Sequence, residues 1–349
     1  MTADVGDARR VLVDARNARV FPGAVAEVGD AAAVLWTEAI GTRSFDDATP
    51  VTPGMVFDLA SLTKVIATTT VVMRLLDAGR VSLSDRLERF FAEWLGADRE
   101  SVVVRDLLEH ASGLPARLVD HPPESRREFE HDICAIRLEY APRSQSVYSD
   151  LGFILLGFLV ADRGADSLAA QFRAIWPDEG LTFEVDPAAR HLVAPTYPLD
   201  EDPRRGRTLT GEVHDDYAAV LGGVAGHAGL FGTAPAVGAF ARAILRAVRG
   251  DTGSPAPLMP SRVREFTTRS TVPGSSRALG WDTMLPTSSC GERMSPAAFG
   301  HVGFTGTSLW IDPARNRYFV LLTNRVCGGG TVEEMRAVRR AFHDALGDV

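Results

Sequence analysis

Lysine is almost absent from this chain of 349 residues. Of its 37 basic side chains, 36 are arginine, and Lys64 is the single lysine. A guanidinium keeps its proton in proteins, whereas a desolvated amine can lose it. The one amine side chain in the sequence is therefore the first place to look for acid–base chemistry.

Cysteine is also scarce. Cys134, Cys290 and Cys327 lie far apart and in no spacing typical of metal ligands. This argues against a zinc site or a disulfide scaffold and favours a reducing compartment. The N-terminal stretch carries acids among its arginines and no apolar core, so it shows neither a secretory nor a lipoprotein signal. We therefore expect a cytoplasmic protein.

Long apolar runs and excess positive charge are missing too. The longest nearly unbroken apolar run covers residues 151–161, far short of the roughly 20 residues that a membrane-spanning helix needs. The net charge of −8 makes nucleic-acid phosphates poor partners. We therefore expect neither a membrane nor a nucleic-acid role, and a small molecule is the expected partner.

The length predicts about two lobes, and the order of the elements indicates how they are connected. Strand-like segments lie near both ends of the chain, at residues 20–40, 304–311 and 318–322. Such an arrangement implies one sheet built from both ends. We predict an α/β (α+β) sheet lobe formed by residues 1–80 and 212–349, with residues 81–211 inserted as an all-helical lobe.

A hydroxyl and the single amine lie three residues apart in the segment FDLASLTK. The pattern predicts a helix over about residues 61–77, on which Ser61 and Lys64 share a face one turn apart. A lysine in a dry pocket can be neutral enough to take the serine proton, which turns the hydroxyl into a nucleophile. The helix N-terminus also places the Ser61 N–H where an oxyanion would form. Because Ser-x-x-Lys also occurs by chance, the lysine count carries much of this inference.

Two further segments can complete such a site. Tyr148 begins a Tyr-Ser-Asp segment before a buried helix, and a phenol beside an ammonium group can shuttle a proton. The alternative is a core tyrosine followed by a helix cap.

In GHVGFTG, His301 and Gly303 lie two residues apart on a predicted strand. A glycine there lets a substrate approach closely, and the Phe304 N–H would be the second oxyanion donor. The alternative there is a strand edge with a glycine bulge.

Three other histidines are expected to have structural roles. His214 begins a His-Asp-Asp segment that resembles a metal cluster, but no further ligand has a suitable spacing, so a loop or helix-cap role is preferred. His227, in the glycine-rich segment LGGVAGHAGLFG, is expected to be hydrogen-bonded structure. His110 is expected at a helix end, as a cation or a C-cap. No metal and no organic cofactor is predicted.

Six segments are spread over nearly the whole chain: FDLASLTK, VVVRDLLEHASGLP, YSDLGFILLG, GEVHDDYAAVLGGVAGHAGLFGTA, GHVGFTGTSLWIDP and VLLTNR. In sequence and order they resemble the serine β-lactamase and penicillin-binding-protein superfamily, in its class C-like branch of β-lactamase-related hydrolases, DD-peptidases and family VIII esterases. The resemblance implies an antiparallel sheet flanked by helices and an active site between the lobes.

The same resemblance implies roles for individual residues. Ser61 would be the nucleophile, Lys64 its partner and Tyr148 the general acid/base. The segment from His301 to Gly303 matches a strand motif that is Lys-Thr-Gly in many relatives. Phe304 would complete the oxyanion hole. The substrate-binding residues would be Asp150, His301, Gly303 and Asn324.

Two departures from the family pattern affect the expected substrate. Asp150 replaces an asparagine, and an acid there can hold Lys64 charged. His301 replaces a lysine, and a mostly neutral imidazole is a weak partner for a substrate carboxylate. We therefore expect a small ester or amide substrate, with β-lactamase or D-Ala-D-Ala carboxypeptidase activity as the alternative. A catalytically silent binding module is the alternative of another class, and the oligomeric state stays open.

Overall fold

Two N-terminal and four C-terminal strands form one antiparallel sheet in the computed structural model, which describes residues 5–118, 123–177, 180–204, 206–251 and 258–347. The strands are β1 (Gly23–Gly29), β2 (Val34–Gly41), β6 (Asp282–Thr283), β7 (Phe299–Val302), β8 (Ser308–Asp312) and β9 (Arg317–Thr323). Their order is β2-β1-β9-β8-β7-β6, and all five neighbouring pairs are antiparallel. The predicted sheet shared by both ends of the chain is confirmed.

A second, smaller sheet lies beside the first and consists of three two-residue strands. These are β3 (Phe57–Asp58), β4 (Leu181–Thr182) and β5 (Phe231–Gly232), with β5 between the other two. A turn of the large sheet is bonded to the end of β3, because the Thr305 and Thr307 hydroxyls donate to the Asp58 and Leu59 carbonyls at 2.8 and 3.0 Å. The two sheets therefore meet at the segment that leads into Ser61.

Helices pack on both faces of the large sheet, α8 (Ala234–Arg249) on one face and α1 (Gly6–Asn17) with α10 (Val332–Ala345) on the other. The other described helices are α2 (Thr69–Asp77), α3 (Val104–Leu108), α4 (Arg126–Ala135), α5 (Asp150–Gly164), α6 (Leu168–Ile175), α7 (Asp216–Val220) and α9 (Pro260–Thr267). Within the described ranges, no helix has both the length and the apolar character needed to cross a bilayer.

The alternation of side chains along β1 explains why it is buried from end to end. Val25 packs into the apolar cluster on the α8 side of the sheet. Ala24, Ala26 and Val28 pack into a second cluster, together with residues of α1 and α10. The sheet is thus the middle of three layers, and neither face of β1 is left to solvent.

The segment between α2 and β5 contains α3 to α7 and, apart from β4, no named strand among its described residues. One apolar cluster runs through this segment and the sheet, since it includes Val25 and Leu309 from strands and Phe153 and Leu155 from α5. The lobe boundaries at residues 81 and 211 therefore stay a prediction.

Local structure differs from the sequence prediction before β8 and at the N-terminal end of the described chain. The strand expected over residues 304–311 begins only at Ser308, because the chain makes a tight turn in which Gly303 N–H donates to the Thr307 carbonyl (2.8 Å) and Gly306 has φ +109°. Helix α1 was not predicted. Its buried Ala8, Leu12 and Ala15 recur at helical spacing within a strongly charged segment.

Candidate active site

Ser61 lies at the junction of β3 and a helix. The preceding Ala60 has φ +48°, unusual for a residue with a side chain, and its N–H donates to Asp58 Oδ1 (2.8 Å). A π-helical turn, Lys64–Thr68, follows and continues into α2, which ends at Asp77 as predicted. The Asp58 contact holds this strained turn, and the half-buried Ser61 opens onto a cleft of about 240 Å³.

The Lys64 side chain is fully buried, and its amine has three acceptors. Nζ donates to Ser61 Oγ at 3.0 Å, to Asp150 Oδ1 at 2.8 Å and to the His227 carbonyl at 3.0 Å. An ammonium group has three N–H donors, so all of them are used. Burial lowers the pKa of Lys64, but the Asp150 and Tyr148 side chains raise it, and the net shift is upward.

This result changes the expected role of Lys64. The sequence suggested a lysine neutral enough to remove the serine proton, and also that Asp150 can hold it charged. The raised pKa and the three acceptors favour the second arrangement. In this geometry Lys64 is a fixed cation next to Ser61 rather than its base.

Tyr148 contacts the other side of Ser61. Its hydroxyl donates to Ser61 Oγ at 2.6 Å, and Lys64 Nζ lies 4.9 Å from the centre of its ring. Burial raises the pKa of Tyr148 and the Lys64 ammonium lowers it, with a net shift above the ordinary value of 10. Tyr148 is therefore mostly a neutral phenol at neutral pH, and only a small fraction is the phenolate that can accept a proton.

His110 supports Tyr148 from behind. Its ring packs on the Tyr148 ring at 4.8 Å, and its Nδ1 accepts the Ser149 N–H at 3.1 Å. Burial and nearby cations hold the pKa of His110 well below 6.5, so the ring is neutral. His110 follows the end of α3, and it acts here as an uncharged support for the tyrosine.

A chain of charges extends from Lys64 towards the surface. Asp150 Oδ2 lies 3.8 Å from Arg117, which also pairs with Asp215 (3.2 Å) and Asp216 (2.5 Å). Asp215 Oδ1 contacts His227 Nε2 (2.7 Å) and also caps α7, so His227 is hydrogen-bonded as expected. No group of three or more residues suited to hold a metal occurs in the ranges that the structure covers.

Gly303 and Phe304 lie against the Ser61 turn. A Cβ on Gly303 would come within 2.6 Å of the Leu59 carbonyl and 3.2 Å of Ala60 Cβ, so only glycine fits this approach. Throughout the described residues, no protein acceptor takes the N–H of Ser61 or of Phe304. Two free donors at adjoining segments are what an oxyanion hole requires.

His301 and Asn324, the remaining predicted residues, differ in position. His301 lines the cleft, and its Nδ1 lies 2.9 Å from the Val302 carbonyl. Burial, with Arg277 and Lys64 nearby, holds the pKa of His301 well below 6.5, so it supplies no cation. Asn324 is 2% exposed and its amide donates to the Arg43 and Pro195 carbonyls, so the structure does not bring it into the cleft. The expected substrate-side role of Asn324 does not fit this geometry.

Sequence reasoning missed three arginines that line the cleft. They are Arg277, Arg325 and Arg339. Arg277 lies 5.3 Å from the centre of the Tyr148 ring and pairs with no carboxylate among the described residues. In a chain with 36 arginines, no local pattern distinguishes these three from surface residues.

The antiparallel sheet flanked by helices, together with Ser61 and Tyr148 hydrogen-bonded around the buried Lys64 at a cleft, defines a serine hydrolase. Residues 8–343 match the Beta-lactamase family profile. The chain belongs to the Beta-lactamase family.

Individual relatives agree with this assignment. A protein of Escherichia coli (strain K12) named "Putative D-alanyl-D-alanine carboxypeptidase" is 30% identical over 310 residues, which cover 78% of this chain and 70% of the relative. Among solved structures, the hydrolase EstCE1 has a TM-score of 0.76 at 18% identity, covering 97% of this chain and 98% of the other. A class C β-lactamase from Rhodobacter sphaeroides has a TM-score of 0.75 at 19% identity, covering 98% of both chains. At such identities the structural matches support the fold alone.

Proposed function

We propose that this serine hydrolase cleaves a small ester or amide through an acyl-enzyme at Ser61. The observation that carries the proposal is the pair of hydrogen bonds that Ser61 Oγ receives, from the Tyr148 hydroxyl at 2.6 Å and from Lys64 Nζ at 3.0 Å. A hydroxyl placed between a phenol and an ammonium group can lose its proton as it attacks a carbonyl.

In the proposed reaction, Lys64 stays an ammonium group and stabilises the phenolate form of Tyr148. The phenolate takes the Ser61 proton as Oγ bonds to the substrate carbonyl carbon, and the new oxyanion accepts hydrogen bonds from the N–H groups of Ser61 and Phe304. Tyr148 then gives the proton to the leaving group as its bond to the acyl carbon breaks. Water, deprotonated by Tyr148, hydrolyses the acyl-enzyme by the reverse sequence and releases the acid.

Labelling with a fluorophosphonate tests the nucleophile. Intact mass and peptide mapping are expected to locate one adduct on Ser61, and Ser61→Ala is expected to abolish both labelling and turnover of a p-nitrophenyl ester. Labelling at another residue would overturn the proposal. An acyl-enzyme that forms and then persists would favour the silent binding module instead.

A second candidate, a carboxypeptidase or β-lactamase, is favoured by Arg277. Substrates of these two kinds carry a carboxylate, and Arg277 offers the cleft a guanidinium with no carboxylate partner among the described residues, where His301 is neutral. The name of the Escherichia coli relative points in the same direction.

Paired substrates distinguish the two candidates. A neutral p-nitrophenyl ester, an ester of the same length with a terminal carboxylate, a D-Ala-D-Ala peptide and a chromogenic cephalosporin are compared in wild type and Arg277→Leu. An ester hydrolase for neutral substrates prefers the uncharged ester and is little affected by the substitution. Preference for the charged compounds, with a KM raised about tenfold or more in Arg277→Leu, would select the second candidate.

A further inference from the structure

The carbonyl groups of Gly303 and Phe304 each accept hydrogen bonds from a buried arginine side chain. Arg339, on α10, donates from Nη2 to the carbonyls of Gly303 (2.6 Å) and Thr307 (3.0 Å). Arg325 donates from Nε (3.1 Å) and Nη2 (2.5 Å) to the Phe304 carbonyl. Arg339 is 5% exposed and Arg325 is 6% exposed, so these contacts are shielded from water.

The geometry of a trans peptide links these contacts to the oxyanion site. In such a peptide the C=O of one residue and the N–H of the next point in opposite directions. No cis peptide occurs in the described ranges. Because Arg339 holds the Gly303 carbonyl, the Phe304 N–H points the other way, and it has no protein acceptor among the described residues. The Gly303 carbonyl also accepts the Gly306 N–H at 3.1 Å, so Arg339 and this turn bond together fix the orientation of the proposed oxyanion donor.

The Arg339 guanidinium is unusual because its N–H groups donate only to backbone carbonyls. No carboxylate in the described part of the chain lies within ion-pair distance of Arg339, whereas Arg325 is attracted at longer range by Glu333. Burial and the neighbouring Arg325 lower the pKa of Arg339 to about 9, which still leaves it charged at neutral pH. Burying a cation without a counter-charge is costly, so its retention next to a site where negative charge develops calls for a functional reason.

We propose that Arg339 is a positioning residue of the oxyanion hole, which holds the Gly303–Phe304 peptide with its N–H towards Ser61 and polarises it. A cation bonded to an amide carbonyl draws electron density away from the N–H, which becomes a stronger donor. Arg325 holds the next carbonyl of the same turn. The inference rests on the proposed acyl-enzyme at Ser61.

Arg339→Met tests this role, because methionine fills much of the volume without charge or N–H groups. Deleting a whole oxyanion donor costs about 10²–10³ in kcat, so loss of its orientation and polarisation is expected to cost about 10- to 100-fold, with KM changed by less than about threefold. The acyl-enzyme formed from a ¹³C-carbonyl ester is expected to show its ester C=O stretch at a higher wavenumber than wild type, because the carbonyl is less polarised. Arg339→Lys keeps the charge, so its kcat and its C=O stretch are expected to lie between those of the wild type and of Arg339→Met.

Arg99→Met is the matched control. Arg99 is also 5% exposed and donates to two backbone carbonyls, those of Cys134 and Ile136, but it does not line the cleft. Loss of stability with an unchanged kcat and C=O stretch is expected for this variant.

The outcomes separate this inference from the proposed function. Arg339→Met with wild-type kcat and an unshifted stretch would overturn the inference while Ser61 is still labelled. If Arg339→Met does not fold, Arg339→Lys is measured in its place. A wild-type kcat together with an unshifted C=O stretch in Arg339→Lys would also overturn the inference. Absence of Ser61 labelling in wild type would instead overturn the proposed function.

Discussion

Replacing Asp150 with asparagine is expected to destabilise the protein in a pH-dependent way. The carboxylate lies 2.8 Å from the Lys64 amine, whose side chain is fully buried, and Asp150 itself is 14% exposed. Two unit charges at this separation attract each other by about 6 kcal/mol at an effective dielectric constant of about 20. Removing one partner of a buried pair usually costs about 3–5 kcal/mol. We expect a loss of about 3 kcal/mol at pH 7, because asparagine still offers one acceptor.

The pH dependence distinguishes lost charge from lost packing. In the wild type the pKa of Lys64 lies above its ordinary 10.5, so its contribution is fully present below that pH and is lost only as pH rises through the folded-state pKa. In Asp150→Asn the raising effect of Asp150 is gone and burial acts to lower the pKa of Lys64. Stability of the variant then increases as the buried amine loses its proton, so the difference from wild type narrows between pH 7 and pH 10.

Urea denaturation at both pH values measures this difference. Asp216→Asn is the control, since Asp216 pairs with Arg117, is about one-third exposed and makes no contact with Lys64. That variant is expected to lose less than about 1 kcal/mol at either pH. A loss below about 1 kcal/mol in Asp150→Asn, or one that is equal at pH 7 and pH 10, would refute the view that Asp150 holds Lys64 charged.

Three further predictions concern activity. Burial raises the pKa of Tyr148, so kcat/KM for a neutral ester is expected to rise from pH 7 to pH 9, and an optimum below pH 7 would contradict the phenolate role. Tyr148→Phe is expected to lower kcat by about 10²–10⁴ with far-ultraviolet circular dichroism unchanged, and near-wild-type turnover would show that another group carries the proton. Lys64→Arg is expected to lose activity nearly as fully as Ser61→Ala, since a planar guanidinium does not match the three acceptors around Nζ, and wild-type rates would refute the specific need for an amine.

The site residues that could be found from sequence are those with a local signal. Ser61 and Lys64 lie one helical turn apart, and the rarity of lysine marked the pair without any knowledge of the fold. Tyr148 precedes a strongly apolar helix, and Gly303 lies in a glycine-rich strand segment. Each of these signals is carried by a few consecutive residues, so a linear pattern was enough.

The three cleft arginines had no such signal. Arg277, Arg325 and Arg339 come from segments that are separate in sequence, and their meaning depends on which carbonyl or ring they face. Asn324 shows the reverse problem. Its motif is recognisable, but the packing around it turns its amide towards backbone carbonyls and away from the cleft.

The sequence by itself determined the sheet built from both chain ends, the helical segment that follows Ser61 and contains Lys64, and the family. These depend on periodicity and short motifs, which local interactions impose on the chain. Only the tertiary structure decided the protonation of Lys64, because that depends on the balance between burial and the charge of Asp150, 86 residues away. It likewise decided which arginines face the oxyanion turn, since solvent exclusion and long-range contacts arise only when distant segments pack together.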